Sequence, residues 1–382
     1  MCCRSVVTLA TLLVALQTTP GAELQGPSWI DRSPHRVRLI GVDENVQLEV
    51  LDWGGSGRPI VLLAGHGNTA HVFDEFATKL TSHGHIYGIT RRGYGASTLA
   101  ESGYDVDRLG KDVLAVLDHL SIEKPVLIGH SIAGQELSFI ASRHPGRVAG
   151  VVYLDAAYRY AYYRPGVREN LRELQNKLEL LDAELGKPPR SPAELSTVIR
   201  TTLGETLVEF QKDLNELMNT PEFPGGALPP EPSDLADFAA YRAWSARVHG
   251  YALPEAELRQ VRTTTSTGGV GPSKTHAAAS KAIGAGSQRF TEIRVPTLAI
   301  FASPHGLGPW TNKYPEHRSA FDAFSRFDQG MTERQAAAFE RGVEGARVIR
   351  LPNAGHYLFI SQENEVLREV VAFVVAVGES SR

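Results

Sequence analysis

The chain has 382 residues, 42% of them hydrophobic and 21% charged, with a formal net charge of −4; such a length holds one large α/β domain with an insertion, or two ordinary domains. This balance is that of an ordinary globular protein, and it lacks the basic footprint of a nucleic-acid binder, which excludes nucleic acid as a partner. The 13 histidines are scattered, with no helical H-x-x-x-H pair and no Cys/His cluster, so no metal site is expected, and no cofactor either.

The N-terminus reads as a targeting signal. Arg4 gives a positive start, Val6 to Leu16 is apolar, and Pro20-Gly21-Ala22 offers small residues for cleavage. Residues 1–22 are therefore expected to direct export, leaving a secreted or periplasmic chain. The apolar stretch of about eleven residues is too short to span a bilayer. Cys2 and Cys3 both lie ahead of it, which argues against a lipoprotein anchor and leaves the exported chain without a thiol.

Residues 23–156 form the first part of a core. Val37–Ile40 and Val46–Val50 alternate as strands, and Asp52-Trp53-Gly54-Gly55-Ser56-Gly57 is expected to turn the chain. Ile60–Leu63 is a continuous apolar strand running into Ala64-Gly65-His66-Gly67-Asn68. His85–Ile89 is another strand, ending in Arg91-Arg92-Gly93-Tyr94-Gly95-Ala96-Ser97. Leu109, Val113, Val116, Leu117 and Leu120 mark one face of a helix. Val126-Leu127-Ile128 then leads into Gly129-His130-Ser131-Ile132-Ala133-Gly134, followed by a helix from Gln135 to Arg143 that His144-Pro145 stops. A serine on so sharp a strand-to-helix turn is held in strained backbone with its hydroxyl lifted clear of the sheet. Only small residues fit two places either side, here Gly129 and Ala133. Val148 to Leu154 is the next strand, closing on Asp155. Strands alternating with helices imply a mostly parallel sheet with helices on both faces.

The alternation stops over residues 157–291, which read as an inserted helical segment. Leu171, Leu174, Leu178, Leu181 and Leu185 make one packing stripe, and Leu203, Leu207, Phe210, Leu214 and Leu217 another. Pro221–Pro232 and Thr263–Thr275 are expected to be loops. The core resumes over residues 292–382 with strands at Thr297–Phe301 and Ala346–Leu351 and a final helix using Val366, Leu367, Val370, Phe373 and Val374.

These segments, with Leu154-Asp155-Ala156 and Asn353-Ala354-Gly355-His356-Tyr357, resemble the α/β-hydrolase family in content and order. The resemblance implies the α/β-hydrolase fold, with the insertion as a helical cap over the carboxyl ends of the strands. It makes Ser131 the nucleophile, which needs a base to take its proton, and His356 that base. His130 is assigned to packing, pointing back into the sheet.

The acid departs from the common pattern. Most members carry it just after the strand matching Thr297–Phe301, but that loop reads Ala302-Ser303-Pro304-His305-Gly306-Leu307-Gly308, with no carboxylate. Asp155, at the end of the preceding core strand, is the favoured choice, with Asp322 and Asp328 as later alternatives. The resemblance also implies an oxyanion hole from the backbone N–H of Ile132 and of His66, or Asn68 if the alignment slips. Tyr158, Tyr160 and Trp244 are candidate lining residues of an acyl pocket under the cap.

A serine at the turn argues against haloalkane dehalogenases and epoxide hydrolases of this fold, which use aspartate there. Ile132-Ala133-Gly134 does not match the Trp-Gly-Gly that follows the serine in proline iminopeptidases. The expected activity is cleavage of a small-molecule ester, lactone or thioester. Carbon–carbon bond hydrolysis, perhydrolysis and a non-catalytic ligand-binding role are the alternatives. Substrate identity and oligomeric state stay open.

Overall fold

Short branched runs buried on both sides must sit inside a parallel sheet, and four of them form its centre. The computed structural model describes residues 29–164, 181–183, 187, 191–200 and 228–379. Contacts divide the chain into residues 1–32 and 33–382; residues 29–32, the described part of the first unit, hold no helix or strand.

In the second unit, β3 (Pro59–Leu63), β5 (Val126–His130), β6 (Gly150–Leu154) and β9 (Thr297–Ala302) are almost wholly buried. They join β1 (Arg36–Asp43), β2 (Val46–Gly55), β4 (His85–Ile89) and β10 (Arg347–Leu351) in an eight-stranded sheet of order β1-β2-β4-β3-β5-β6-β9-β10. Only β2 runs against its neighbours.

Successive residues of a strand face opposite sides of a sheet, and the two cores follow that alternation. Leu127, Val151 and Ala299 point one way, toward α2 (Val106–His119), α3 (Gly134–Arg143) and Phe339 of α7 (Arg318–Gly342). Ile128, Val152 and Leu298 point the other way, toward α1 (Asp74–Leu80) and α8 (Glu363–Glu379), which contribute Phe76, Leu80, Val366 and Val370. The fold is thus the α/β-hydrolase fold, with helices on both faces.

The stretch expected to turn after the second strand is instead strand. β2 continues through Asp52-Trp53-Gly54-Gly55, pairing Gly54 with Ile86 and Gly55 with His85 across a register shift. Gly55 has φ +97°, and a Cβ there would lie 2.1 Å from the Gly84 carbonyl oxygen. Gly55 therefore serves a close backbone approach, Gly54 takes a left-handed φ of +76° in open space, and the turn falls one step later, at Ser56–Arg58.

Between β6 and β9 the described part of the insertion holds α4 (Phe238–His249), α5 (Glu255–Val261) and α6 (Ala277–Ala285). The leucine stripes of residues 171–185 and 203–217 lie outside the described residues, Leu181 excepted. The stretch Thr263–Thr275 is not simply a loop. Arg262–Thr264 and Val270–Ser273 pair antiparallel as β7 and β8, as suits β-branched threonines closed by a turn in which the Thr265 hydroxyl accepts from the Gly269 N–H. Among the described residues, no helix is long and apolar enough to cross a membrane.

Candidate active site

The sheet register alone brings distant parts of the chain together at one edge. Leu63 pairs with Gly129, His130 with Leu154, Leu154 with Ile300, and Ala302 with Leu351. The residues one or two places beyond these pairs, on the loops at the carboxyl ends of the strands, must converge. The order β4-β3-β5 also reverses the direction of winding here, which opens a crevice where α/β sheets bind ligands.

Ser131 follows β5 with φ +52°, a left-handed conformation that only a tightly determined turn holds. The surroundings show what determines it. A Cβ at Gly129 would come within 2.9 Å of Leu137 and 3.1 Å of Ala133, and one at Gly134 within 2.0 Å of the Ala156 carbonyl oxygen. Asp155, one residue past β6, is the second such position, with φ +47°. Its N–H donates to the Ile300 carbonyl at 2.7 Å, which fixes the turn against β9.

His356 bridges these two residues. Its Nε2 lies 2.9 Å from Ser131 Oγ and its Nδ1 lies 2.6 Å from Asp155 Oδ2. A carboxylate only accepts, so Nδ1 carries the hydrogen and Nε2 is left to accept from the serine. Asp155 is fully buried and takes two further donors on its other oxygen, the Tyr158 hydroxyl at 2.7 Å and the Ala302 N–H at 3.1 Å. Burial pushes the Asp155 carboxyl up, but hydrogen bonds from His305 and His356 outweigh it and hold the group well below the usual carboxylate range.

The other acids considered from the sequence lie elsewhere. Asp322 is exposed and sits 3.6 Å from Arg318. Asp328 contacts His305, whose Nδ1 is 3.0 Å from Asp328 Oδ2 and whose Nε2 is 2.8 Å from Asp155 Oδ2. His305 was missed in the sequence, where its loop drew notice only for lacking a carboxylate.

His130 packs on the histidine loop rather than back into the sheet. Its ring lies 4.6 Å from that of His356, and its Nε2–H donates to the His356 carbonyl at 3.0 Å. Complete burial, reinforced by the charge of His356, drives its pKa down to about 3, so it is a neutral strut. The preceding strand end at Val126–Gly129 signals burial but not this contact.

The loop after β3 lies directly on the serine. A Cβ at Gly65 would meet His130 Nδ1 at 2.7 Å and Ser131 Cβ at 3.2 Å, so glycine lets the backbone carrying the His66 N–H reach the site. The Ile132 N–H opens the short helix Ser131–Ala133 on the other side. The Asn68 backbone N–H donates to the Gly65 carbonyl at 3.3 Å, while its side-chain amide donates to Glu257 at 2.8 Å and its side-chain oxygen accepts from the Tyr357 hydroxyl at 2.9 Å.

Glu257, on α5 of the insertion, also takes the Thr69 N–H at 3.1 Å and the Thr69 hydroxyl. Burial raises its pKa to about 7, against these hydrogen bonds and the nearby charge of His71. A raised folded-state value means that its stability contribution is complete below about 4.5 and is lost as pH rises through about 7. Glu257→Gln cannot ionise, so its melting temperature should gain on the wild type between pH 5 and pH 8. The differential is on the order of 3 kcal/mol at most. Thermal unfolding of both proteins at the two pH values checks this, and an unchanged difference between them would refute it.

Insertion residues meet the site loops at further points. The Tyr251 ring lies 5.5 Å from that of Tyr357, and the Tyr94 hydroxyl is 3.3 Å from Ser280 Oγ. Trp244, expected as a lining residue, is buried with Phe238, Tyr241, Val248, Trp310 and Phe321 in a separate cluster. Tyr158 is committed to Asp155, and Tyr160 packs against the main core. Asp155, His305 and His356 converge closely enough for a cation, as do His35, His71 and Asp74. In the first group the imidazole nitrogens already face carboxylate or hydroxyl oxygens, an arrangement suited to proton transfer.

Sequence and structure comparisons agree with this architecture. The chain is 36% identical over 104 residues to a putative non-heme haloperoxidase of a mycobacterium phage, covering 27% of this chain and 37% of the relative. It is 34% identical over 152 residues to the AB hydrolase superfamily protein YisY of Bacillus subtilis, covering 39% and 56%. It is 32% identical over 121 residues to the bifunctional esterase/perhydrolase DCH of Acinetobacter calcoaceticus, covering 31% and 44%. The matches thus span about half the length of these relatives or less. In structure, the chain resembles E-2-(acetamidomethylene)succinate hydrolase at a TM-score of 0.52 and 16% identity, over 89% of this chain and 99% of that one. The profile of the alpha/beta hydrolase family matches residues 60–370, the span that carries the serine turn, Asp155 and the histidine loop. The chain belongs to the alpha/beta hydrolase family.

Proposed function

We propose that the protein is a serine hydrolase that cleaves a small-molecule carboxylic ester, lactone or thioester through an acyl-enzyme on Ser131. The observation that carries this reading is the line Ser131 Oγ–His356 Nε2–Asp155 Oδ2, with separations of 2.9 Å and 2.6 Å. His356 takes the hydroxyl proton as Ser131 attacks the carbonyl carbon, then returns it to the departing alkoxide or thiolate. Water, activated by the same imidazole, releases the acid. Asp155 fixes the tautomer and stabilises the imidazolium without taking the proton.

The N–H groups of His66 and Ile132 receive the developing oxyanion. The inserted segment acts as a cap over this end of the sheet, with Glu257 tying it to the oxyanion loop. A panel of p-nitrophenyl esters, aliphatic lactones and thioesters, run beside Ser131→Ala, tests the reading. Turnover of at least one class, lost in the variant, is the expected result.

Export through residues 1–22 is the second element of the proposal, supported by Arg4, the apolar stretch and the small residues that follow. Protein expressed in full and recovered outside the cytoplasm should begin near residue 23 on N-terminal sequencing. Recovered protein that still starts at Met1 would refute it.

A further inference from the structure

We propose that His305 is a positioning residue of this site, a doubly protonated imidazole that clamps Asp155 and sets the pH above which His356 works as a base. The inference rests on the serine-hydrolase reading above. It begins from a ring with a carboxylate at each end. His305 Nε2 lies 2.8 Å from Asp155 Oδ2, and Nδ1 lies 3.0 Å and 3.2 Å from the two oxygens of Asp328. The His305 backbone N–H adds a third donor to Asp328 at 2.7 Å. Carboxylate oxygens only accept, so both ring nitrogens must carry hydrogen and the ring is cationic. Burial works against that charge, but hydrogen bonds to Asp155 and Asp328 outweigh it and raise the pKa to about 10.

The groups facing His305 come from each neighbouring segment. Asp155 and the Tyr158 hydroxyl, 3.5 Å from Nε2, follow β6; Asp328 lies on α7; the His356 ring, with centroids 6.2 Å apart, follows β10. Burial, and then the charge of Asp155, keeps the Tyr158 phenol protonated, so it donates to Asp155 and adds no charge. Beyond His356 stands His130, held neutral.

The consequence is electrostatic. A single oxygen, Asp155 Oδ2, serves both imidazoles, at 2.6 Å and 2.8 Å. An acid paired with His356 alone would lend it a full negative charge and favour the imidazolium in the resting state, which is a form unable to accept the serine proton. A cation on the far side of the same oxygen offsets part of that field. The clamp also fills the acceptor positions of Asp155, so the carboxylate cannot rotate away from His356. The position is the loop after β9, where the sequence lacks an acid; the chain instead places there a cationic imidazole that holds the acid following the neighbouring strand β6.

The test is the pH dependence of Ser131 reactivity, read with a fluorophosphonate probe that phosphonylates the serine and releases fluoride, and with p-nitrophenyl acetate. His305→Gln removes the charge and keeps a side-chain donor. Its acid limb should move to higher pH by about one unit. His305→Lys restores a cation and should return the limb toward the wild-type position. A folded His305→Gln protein with an unmoved limb overturns the proposal. For wild-type protein labelled with 15N-histidine, the His305 ring should show two N–H groups at pH 8. A single N–H there also overturns it, and this measurement needs no variant to fold. Ser131→Ala separates the two readings. If it keeps its hydrolytic activity, the nucleophile assignment fails, while the ring protonation of His305 is still decided by the nuclear resonance.

Discussion

Replacing Ser131 with alanine is expected to lower the turnover of a verified substrate by about 10^6-fold while leaving the melting temperature within a few degrees of the wild type. On the proposed mechanism the loss is large because the hydroxyl is the atom that forms the acyl bond, and no other nucleophile stands within hydrogen-bond reach of His356 Nε2 among the described contacts. The fold tolerates the change because the turn at Ser131 is held by Gly129, Ala133 and Gly134 rather than by the hydroxyl. His356→Ala should cost a similar factor, and the double variant little more, since the pair acts as one unit. Multiplicative losses, or a Ser131→Ala protein retaining more than about a hundredth of its activity, would dismiss the acyl-enzyme.

Asp155→Asn is the second large effect, with kcat expected to fall about 10^4-fold and KM to change little. Asparagine presents an N–H as readily as an oxygen, so it no longer specifies hydrogen on His356 Nδ1, and the wrong tautomer leaves Nε2 unable to accept from Ser131. This position also receives His305 and Tyr158, so a stability loss accompanies the kinetic one and must be measured beside it. Asp328→Asn provides the comparison. It touches His305 but not His356, and its effect on kcat should be far smaller. A folded Asp155→Asn protein with nearly normal kcat would remove Asp155 from the mechanism.

The parts of this molecule that could be read from the sequence are those whose residues make local demands. Ile60–Leu63, Val126–Ile128 and Thr297–Phe301 are buried on both faces and read as strands for that reason. The small residues around Ser131 mark the sharp turn because each is pressed against a neighbour. The helix Arg318–Gly342 escaped notice because Asp322, Arg326 and Asp328 alternate with Phe321, Phe324 and Phe327, and Gly330 falls in its middle, so no clean apolar stripe stands out. Gly54 and Gly55 looked like a turn because glycine serves a left-handed strand residue, as at Gly54, or a close backbone approach, as at Gly55, as well as it serves reversal.

At the site, His305, the strut role of His130 and the Glu257 latch were out of reach of any local pattern. Each depends on a partner far away in the chain: Asp155 for His305, the His356 carbonyl for His130, and Asn68 and Thr69 for Glu257. Trp244 illustrates the opposite error. An aromatic residue in an insertion suggests a pocket wall, yet it packs the insertion onto Trp310 and Phe321 of the following segment.

The separation between Ser131 and His356, 225 positions in the chain, has a consequence for synthesis. Ribosomes add roughly 5–20 residues per second, so Ser131 emerges about 10–45 s before His356. Throughout that interval the nascent polypeptide carries a hydroxyl with ordinary, feeble reactivity. The sheet cannot supply the histidine until β9 has paired with β6 and β10 with β9. On the proposed mechanism, catalytic competence therefore waits for this docking and doubles as a report that the strands following the insertion have paired correctly.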